Sequence, residues 1–179
     1  MLHLLKRLLP LLPLSFLIAG CGPGGMFSDE KPAAGCPVAG ALEEAMQVVR
    51  FKPESDKTPT DLMFAAQFAR VGRTCYFDEK QAQIDIALMI EVRRGPSNTT
   101  AEAPLTYFVA VLDPNDKVVL RQPFKALVKF QNRDTRVSYV DQFGVVIDLG
   151  VFKPSEFRVY VGFEMTPDEL AYNRQRIGR

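Results

Sequence analysis

The chain has 179 residues, a formal net charge of +1, 47% hydrophobic residues, three cysteines, no tryptophan and a single histidine, His3. Length and composition describe one ordinary globular domain. A charge this close to zero excludes the strongly basic footprint of a nucleic-acid binder, and a chain without histidine after residue 3 excludes Ser-His-Asp and Cys-His nucleophiles and His-ligated metal centres in its body.

The amino terminus reads as an address. Lys6 and Arg7 precede an apolar run from Leu8 to Ala19, the layout and length of a secretory signal rather than of a spanning helix, which needs about 20 apolar residues. Pro10 and Pro13 would also damage such a helix. The run closes on Leu17-Ile18-Ala19-Gly20-Cys21, which resembles the lipobox of bacterial lipoproteins. The resemblance implies cleavage after residue 20 and acylation of Cys21, with several acyl chains giving a stable membrane anchor where one gives only a marginal one. Gly22 at the following position, by the same resemblance, implies the outer membrane. The alternative is an ordinary secretory signal that leaves Cys21 as a spare thiol. Loss of residues 1–20 removes His3, Lys6 and Arg7 and leaves the acidic residues one ahead of the basic ones.

Residues 21–35 then form a lipidated tether. Residues 22–35 carry four Gly, two Pro and few apolar side chains, and a flexible segment of that length spans on the order of 20 Å. The folded domain is expected over 36–179. Cys36 and Cys75 are expected to form a disulfide in the oxidising space beyond the inner membrane, since 38 intervening residues do not make a C-x-x-C redox motif.

The body reads as strands. Period-two patterns recur from Asp61 onward, most clearly at Ile84, Ile86, Leu88, Ile90 and Val92, with Asp85, Glu91 and Arg93 on the other face. Segments 44–51, 61–77, 82–93, 105–113, 117–130, 135–149 and 156–165 are expected to form an all-β fold, an antiparallel β-sandwich of immunoglobulin-like architecture, with a closed barrel as the rival. The first segment fits a helix equally well through Leu42, Ala45, Met46 and Val49. Pro123 is expected to break the fifth segment with a bulge or a change of sheet. The sixth reads as two short strands interrupted at Asp141-Gln142-Phe143-Gly144. Thr166-Pro167-Asp168-Glu169 is a capping box with proline at the first helical position, so a short C-terminal helix is expected over 167–176, with Leu170 and Tyr172 or Asn173 facing the sandwich.

Cys36-Pro37, Tyr107-Phe108-Val109-Ala110-Val111, Arg136-Val137 and the closing run from Thr166 to Arg174 are similar to uncharacterised envelope lipoproteins of alphaproteobacteria, over most of residues 36–176. That family implies compartment and domain, and supplies no activity, cofactor or site residue.

Few constellations suggest chemistry. Asp113, Asn115 and Asp116 offer oxygen donors, but Pro114 sets up a turn, and the Gly and final acidic residue of a calcium loop are missing. Asn98-Thr99-Thr100 is formally a glycosylation sequon. The adjacent acids Asp78-Glu79 and Asp168-Glu169 read as a turn and a helix start rather than as a hydrolytic pair. Arg174, Arg176 and Arg179 suit either a helix carboxyl end or an anionic surface. No metal ligands and no cofactor are expected. The function expected is that of a non-catalytic binding or scaffolding module for another envelope component, anchored through Cys21, probing the periplasm from the outer membrane. The alternative is a small-ligand or glycan binder, for which Tyr76, Tyr107, Tyr139 and Tyr160 are the candidate platforms.

Overall fold

The computed structural model describes residues 35–177. The expected signal segment, Cys21, the expected tether up to residue 34, and residues Gly178 and Arg179 lie outside them. Eight strands make two four-stranded sheets: β1 (Val38–Ala41), β2 (Gln47–Phe51), β3 (Leu62–Phe77), β4 (Gln81–Arg94), β5 (Glu102–Leu112), β6 (Val118–Lys129), β7 (Arg136–Asp148) and β8 (Arg158–Phe163), followed by one helix, α1 (Pro167–Ile177). One sheet has the order β1-β8-β5-β6 and the other β2-β3-β4-β7. All pairs are antiparallel except β1 with β8. The result is an all-β sandwich with a short C-terminal helix, as the alternation requires. It is built from a β2-β3-β4 meander, a β5-β6 hairpin and two strands, β7 and β8, that return to opposite sheets.

The inward face of β4 explains why the sheets pack. Ile84, Ile86, Leu88, Ile90 and Val92 are all fully buried, as are Val109 and Val111 of β5 and Val161 of β8. Removing each such side chain from water contributes about 1.5–3 kcal/mol. Aromatic rings bridge the two layers in a continuous run. Phe163 stacks on Phe68 at 4.3 Å, Phe68 meets Tyr107 edge-on at 6.3 Å, Tyr107 stacks on Phe124 at 5.8 Å, and Phe124 on Phe143 at 4.0 Å. These rings carry the core from β8 to β7.

Several local expectations are corrected. β7 is one strand of 13 residues, paired with β4 throughout. Gly144, read as a turn residue, serves a close approach: a Cβ there would lie 2.8 Å from Asp85 Oδ1. Pro123 does not break β6, where it pairs opposite Phe108 in an uninterrupted strand. Phe130 N–H donates to its register partner Ala101 at 2.8 Å, so even-numbered residues of β6 bond inward and the nitrogen of Pro123 faces the free edge, where no ladder bond is lost. The ambiguous first segment divides into a 3-10 turn at Glu43–Ala45 and strand β2. β1 was not anticipated, and β5 begins at Glu102, ahead of the segment expected from residue 105.

Cys36 and Cys75 form the expected disulfide, with Cα atoms 5.8 Å apart and a sequence separation of 39. It clamps the entry to β1 onto β3, across the two layers. Closing a loop of this size stabilises by about 4 kcal/mol on the chain-entropy account.

Candidate functional site

The outer face of the β2-β3-β4 sheet carries a groove of about 530 Å³ bounded by α1 and by the loop between β2 and β3. Its floor follows from strand register. Gln47 lies opposite Gln67, and Gln67 opposite Glu91; one step along, Val49 lies opposite Ala65, and Ala65 opposite Arg93. Two parallel rows therefore cross three strands, one of two amides and a carboxylate, the other of two small apolar side chains and a guanidinium. Ala65, with a single methyl group, leaves the middle of the floor open. Gln67 Nε2 donates to Glu91 Oε2 at 3.4 Å, and Arg93 is exposed.

One wall is aromatic. Phe51 at the end of β2 meets Tyr172 of α1 edge-to-face at 5.7 Å, and the Arg176 guanidinium lies over the Tyr172 ring at 5.7 Å. The helix holds this position through its capping box and one buried amide. Thr166 N–H donates to Glu169 Oε2 at 2.8 Å, and Glu169 N–H to Thr166 Oγ1 at 3.2 Å. Asn173, 1% exposed, donates from Nδ2 to the carbonyls of Glu44 (3.1 Å) and Gln47 (2.7 Å). Arg50 of β2 reaches Glu169 at 3.0 Å. The helix thus covers the outer edge of β2 and tilts Tyr172 over the sheet.

The end wall is the β2–β3 loop with Lys57 and Pro59. Lys52 N–H donates to Asp61 O at 2.9 Å and closes the loop. Asp61 accepts from Thr58 Oγ1 at 2.6 Å and from Thr58 N–H at 3.0 Å. These bonds hold its carboxyl below the usual range, the side-chain bond first. Lys57, the residue before this cap, takes a left-handed conformation with φ of 56°. The groove wall therefore sets three cations, Lys57, Arg93 and Arg176, against one carboxylate, Glu91, already shared with Gln67.

The predicted site residues fall elsewhere. Tyr107 and Tyr139 come together around Asp141, but inside the sandwich: Tyr107 is fully buried and donates its hydroxyl to Asp141 Oδ2. Burial first, then that carboxylate, pushes the Tyr107 hydroxyl far above its ordinary range, and the same two causes raise Tyr139. Tyr76 is 68% exposed near the end of β3, and Tyr160 lies on the other sheet, opposite Ala110. The four do not form one platform.

Asp78 accepts the N–H groups of Lys80 and Gln81 and Asp113 those of Asn115 and Lys117, so both carboxylates build hairpin turns. Asp116 pairs with Arg158. Asn98 is 3% exposed, with its amide donating to Glu102 O at 2.8 Å, which withdraws the sequon from solvent. Arg174 pairs with Glu44 at 2.8 Å, while Arg176 turns to the groove. Among the described residues no group of three or more His, Cys, Asp or Glu side chains could hold a metal ion.

Sequence reasoning assigned Tyr172 to packing and missed Phe51, Lys57 and Arg93. The available signal was the wet face of β3 and β4, where Gln67, Glu91 and Arg93 recur every second residue beside the apolar face. No family profile, curated protein or solved structure gives a significant match to this chain.

Proposed function

We propose that this protein is a non-catalytic binding module of the bacterial cell envelope, anchored by acylated Cys21 in the outer membrane, with its sandwich domain in the periplasm. The lipobox-like run at Leu17–Cys21 supports the anchor, and the Cys36–Cys75 disulfide is in keeping with an oxidising compartment. The observation that carries the binding role is the groove over β2, β3 and β4, whose walls are held by a buried amide and a capped loop and whose cations outnumber its carboxylates. A preformed concave site with an aromatic wall and a few convergent polar groups is the usual form of a ligand site.

The glycan-binding alternative keeps its place within this reading, because the amide-and-carboxylate row at the floor offers both donors and acceptors. The platform it uses is Tyr172 with Phe51 rather than the four tyrosines first considered.

The anchor and the module are tested together in a host that processes lipoproteins. Metabolic labelling with an alkyne fatty acid should mark the wild-type chain and not Cys21→Ser, and the variant should move from the membrane to the soluble fraction. A photo-crosslinking residue at position 59, on the exposed end wall of the groove, should trap an envelope component that the same residue at position 125, on the opposite sheet, does not. Label on both chains, or identical products from both positions, would overturn the proposal.

A further inference from the structure

Resting on the groove being the binding surface, we infer that its ligand is an acidic saccharide, a sugar bearing a carboxylate, held with its ring against Tyr172 and its acid group on Arg93 and Lys57. Three features of the groove converge on this class.

The first is charge. Lys57, Arg93 and Arg176 line the groove beside a single carboxylate, and the other basic groups near the helix are already engaged: Arg50 with Glu169 and Arg174 with Glu44. A planar guanidinium standing free on a strand matches a carboxylate in two parallel hydrogen bonds, a recognition lysine alone does not provide. An anionic ligand is thereby favoured over a neutral or cationic one.

The second is the floor. Gln47, Gln67 and Glu91 form one cross-strand row. Amides both donate and accept, and a carboxylate only accepts. A simple anion would be repelled by Glu91 and would leave the amide carbonyls without donors, and an all-acidic peptide would set a further carboxylate beside Glu91 at each residue it laid there. A polyol satisfies the whole row, because each hydroxyl both donates and accepts. The row therefore selects against the plainest anions that the cations would otherwise attract.

The third is shape. About 530 Å³ falls within the usual range of small-ligand pockets. Ala65 leaves a hollow in the floor, and the Tyr172 ring offers an apolar face next to polar groups, the combination that suits an aliphatic ring edged with hydroxyls.

The test uses the full chain in mild detergent, titrated by calorimetry with four defined probes: tri-galacturonate, its neutral counterpart galactotriose, the disaccharide of N-acetylglucosamine and N-acetylmuramic acid, and its neutral counterpart diacetylchitobiose. Saturable binding of at least one acidic probe is expected, with its neutral counterpart at least about tenfold weaker and the affinity falling as salt is raised. Preference for the muramic disaccharide assigns the cell wall as source; preference for galacturonate assigns an acidic polysaccharide.

Arg93→Gln, at an exposed position, should weaken the acidic probe about tenfold while leaving the melting temperature unchanged. Tyr172→Leu should weaken acidic and neutral sugars alike. No binding of either acidic probe, equal binding of acidic and neutral partners, or an unaffected Arg93→Gln variant would overturn the inference. Binding of an oligoglutamate peptide at the groove in place of the sugars would overturn the saccharide assignment and leave the groove's role as a binding surface standing. Failure of that role itself is read separately, in the crosslinking from position 59, which leaves Arg93, Lys57 and Tyr172 in place.

Discussion

Tyr107 shows what one polar group requires inside this sandwich. Its ring belongs to the aromatic run between the sheets, and its hydroxyl, fully removed from solvent, has Asp141 as its acceptor. A buried hydroxyl without a partner costs about 1–3 kcal/mol, so the inward carboxylate on β7 accounts for a tyrosine where phenylalanine would otherwise suit. Burial and the neighbouring negative charge both oppose ionisation, so the folded chain keeps a proton that the unfolded chain releases near pH 10. The native state then binds more protons than the unfolded state, and stability falls as pH rises through and beyond that value. Below pH 10 this group adds no pH dependence. Absorbance titration near 295 nm should show the Tyr107 step arriving only with unfolding. Ionisation of all five tyrosines near pH 10 with the near-ultraviolet circular dichroism intact would contradict this account.

At the scale of elements, α1 depends on one amide. The helix is short, and isolated helices of this length are marginal in water. Arg50–Glu169 and Arg174–Glu44 are partly exposed pairs that contribute little alone. Asn173 is buried and donates to two backbone carbonyls, those of Glu44 and Gln47, so its removal leaves both without this partner. Asn173→Leu should therefore destabilise the protein by about 2 kcal/mol, and amide exchange should quicken along α1 first. A loss below about 0.5 kcal/mol, within the range of ordinary surface substitutions, would show that the helix is held by something else.

Elements were legible in the sequence in proportion to how directly their residues state their environment. Strands β3, β4, β6 and β8 alternate plainly and α1 carries its own cap, so both were readable near their ends. β1 was not, because four residues of Val, Ala and Gly paired parallel to β8 have no period of their own and are defined by the partner. Gly144 looked like a turn because a glycine required by the Asp85 side chain is indistinguishable, in sequence, from one required by φ. The groove was half legible: the polar face of β3 and β4 was visible, but its alignment with Gln47, Phe51 and Tyr172 exists only once α1 has been docked by Asn173.

For the whole molecule, the question is what keeps two open sheets from pairing with other copies. With a net charge of +1, the chain has little self-repulsion to hold copies apart, so protection has to be local. α1 covers the edge of β2, and β1 is only four residues long. That leaves β6 and β7, long edge strands on the same side of the sandwich. Each carries a recognised guard: Asp141 is a charge pointing inward from β7, and Pro123 sits where its nitrogen faces the free edge of β6.

Pro123→Val separates the guard from the fold, because the proline makes no ladder bond and its side chain is exposed. The substitution adds an N–H directed at solvent and completes the donor row of β6. Monomer stability in denaturant should change by less than about 0.5 kcal/mol, as for an ordinary surface site. Sedimentation velocity on the full chain in mild detergent should nevertheless show a concentration-dependent dimer in the variant and not in the wild type. A second variant, Pro123→Lys, keeps the new N–H but restores a deterrent charge at the edge, and should remain monomeric. If the valine and lysine variants associate equally, backbone exposure alone governs pairing. If neither associates, the edge of β6 is protected by its twist or by its neighbours Lys125 and Lys129, and the proline has no protective role.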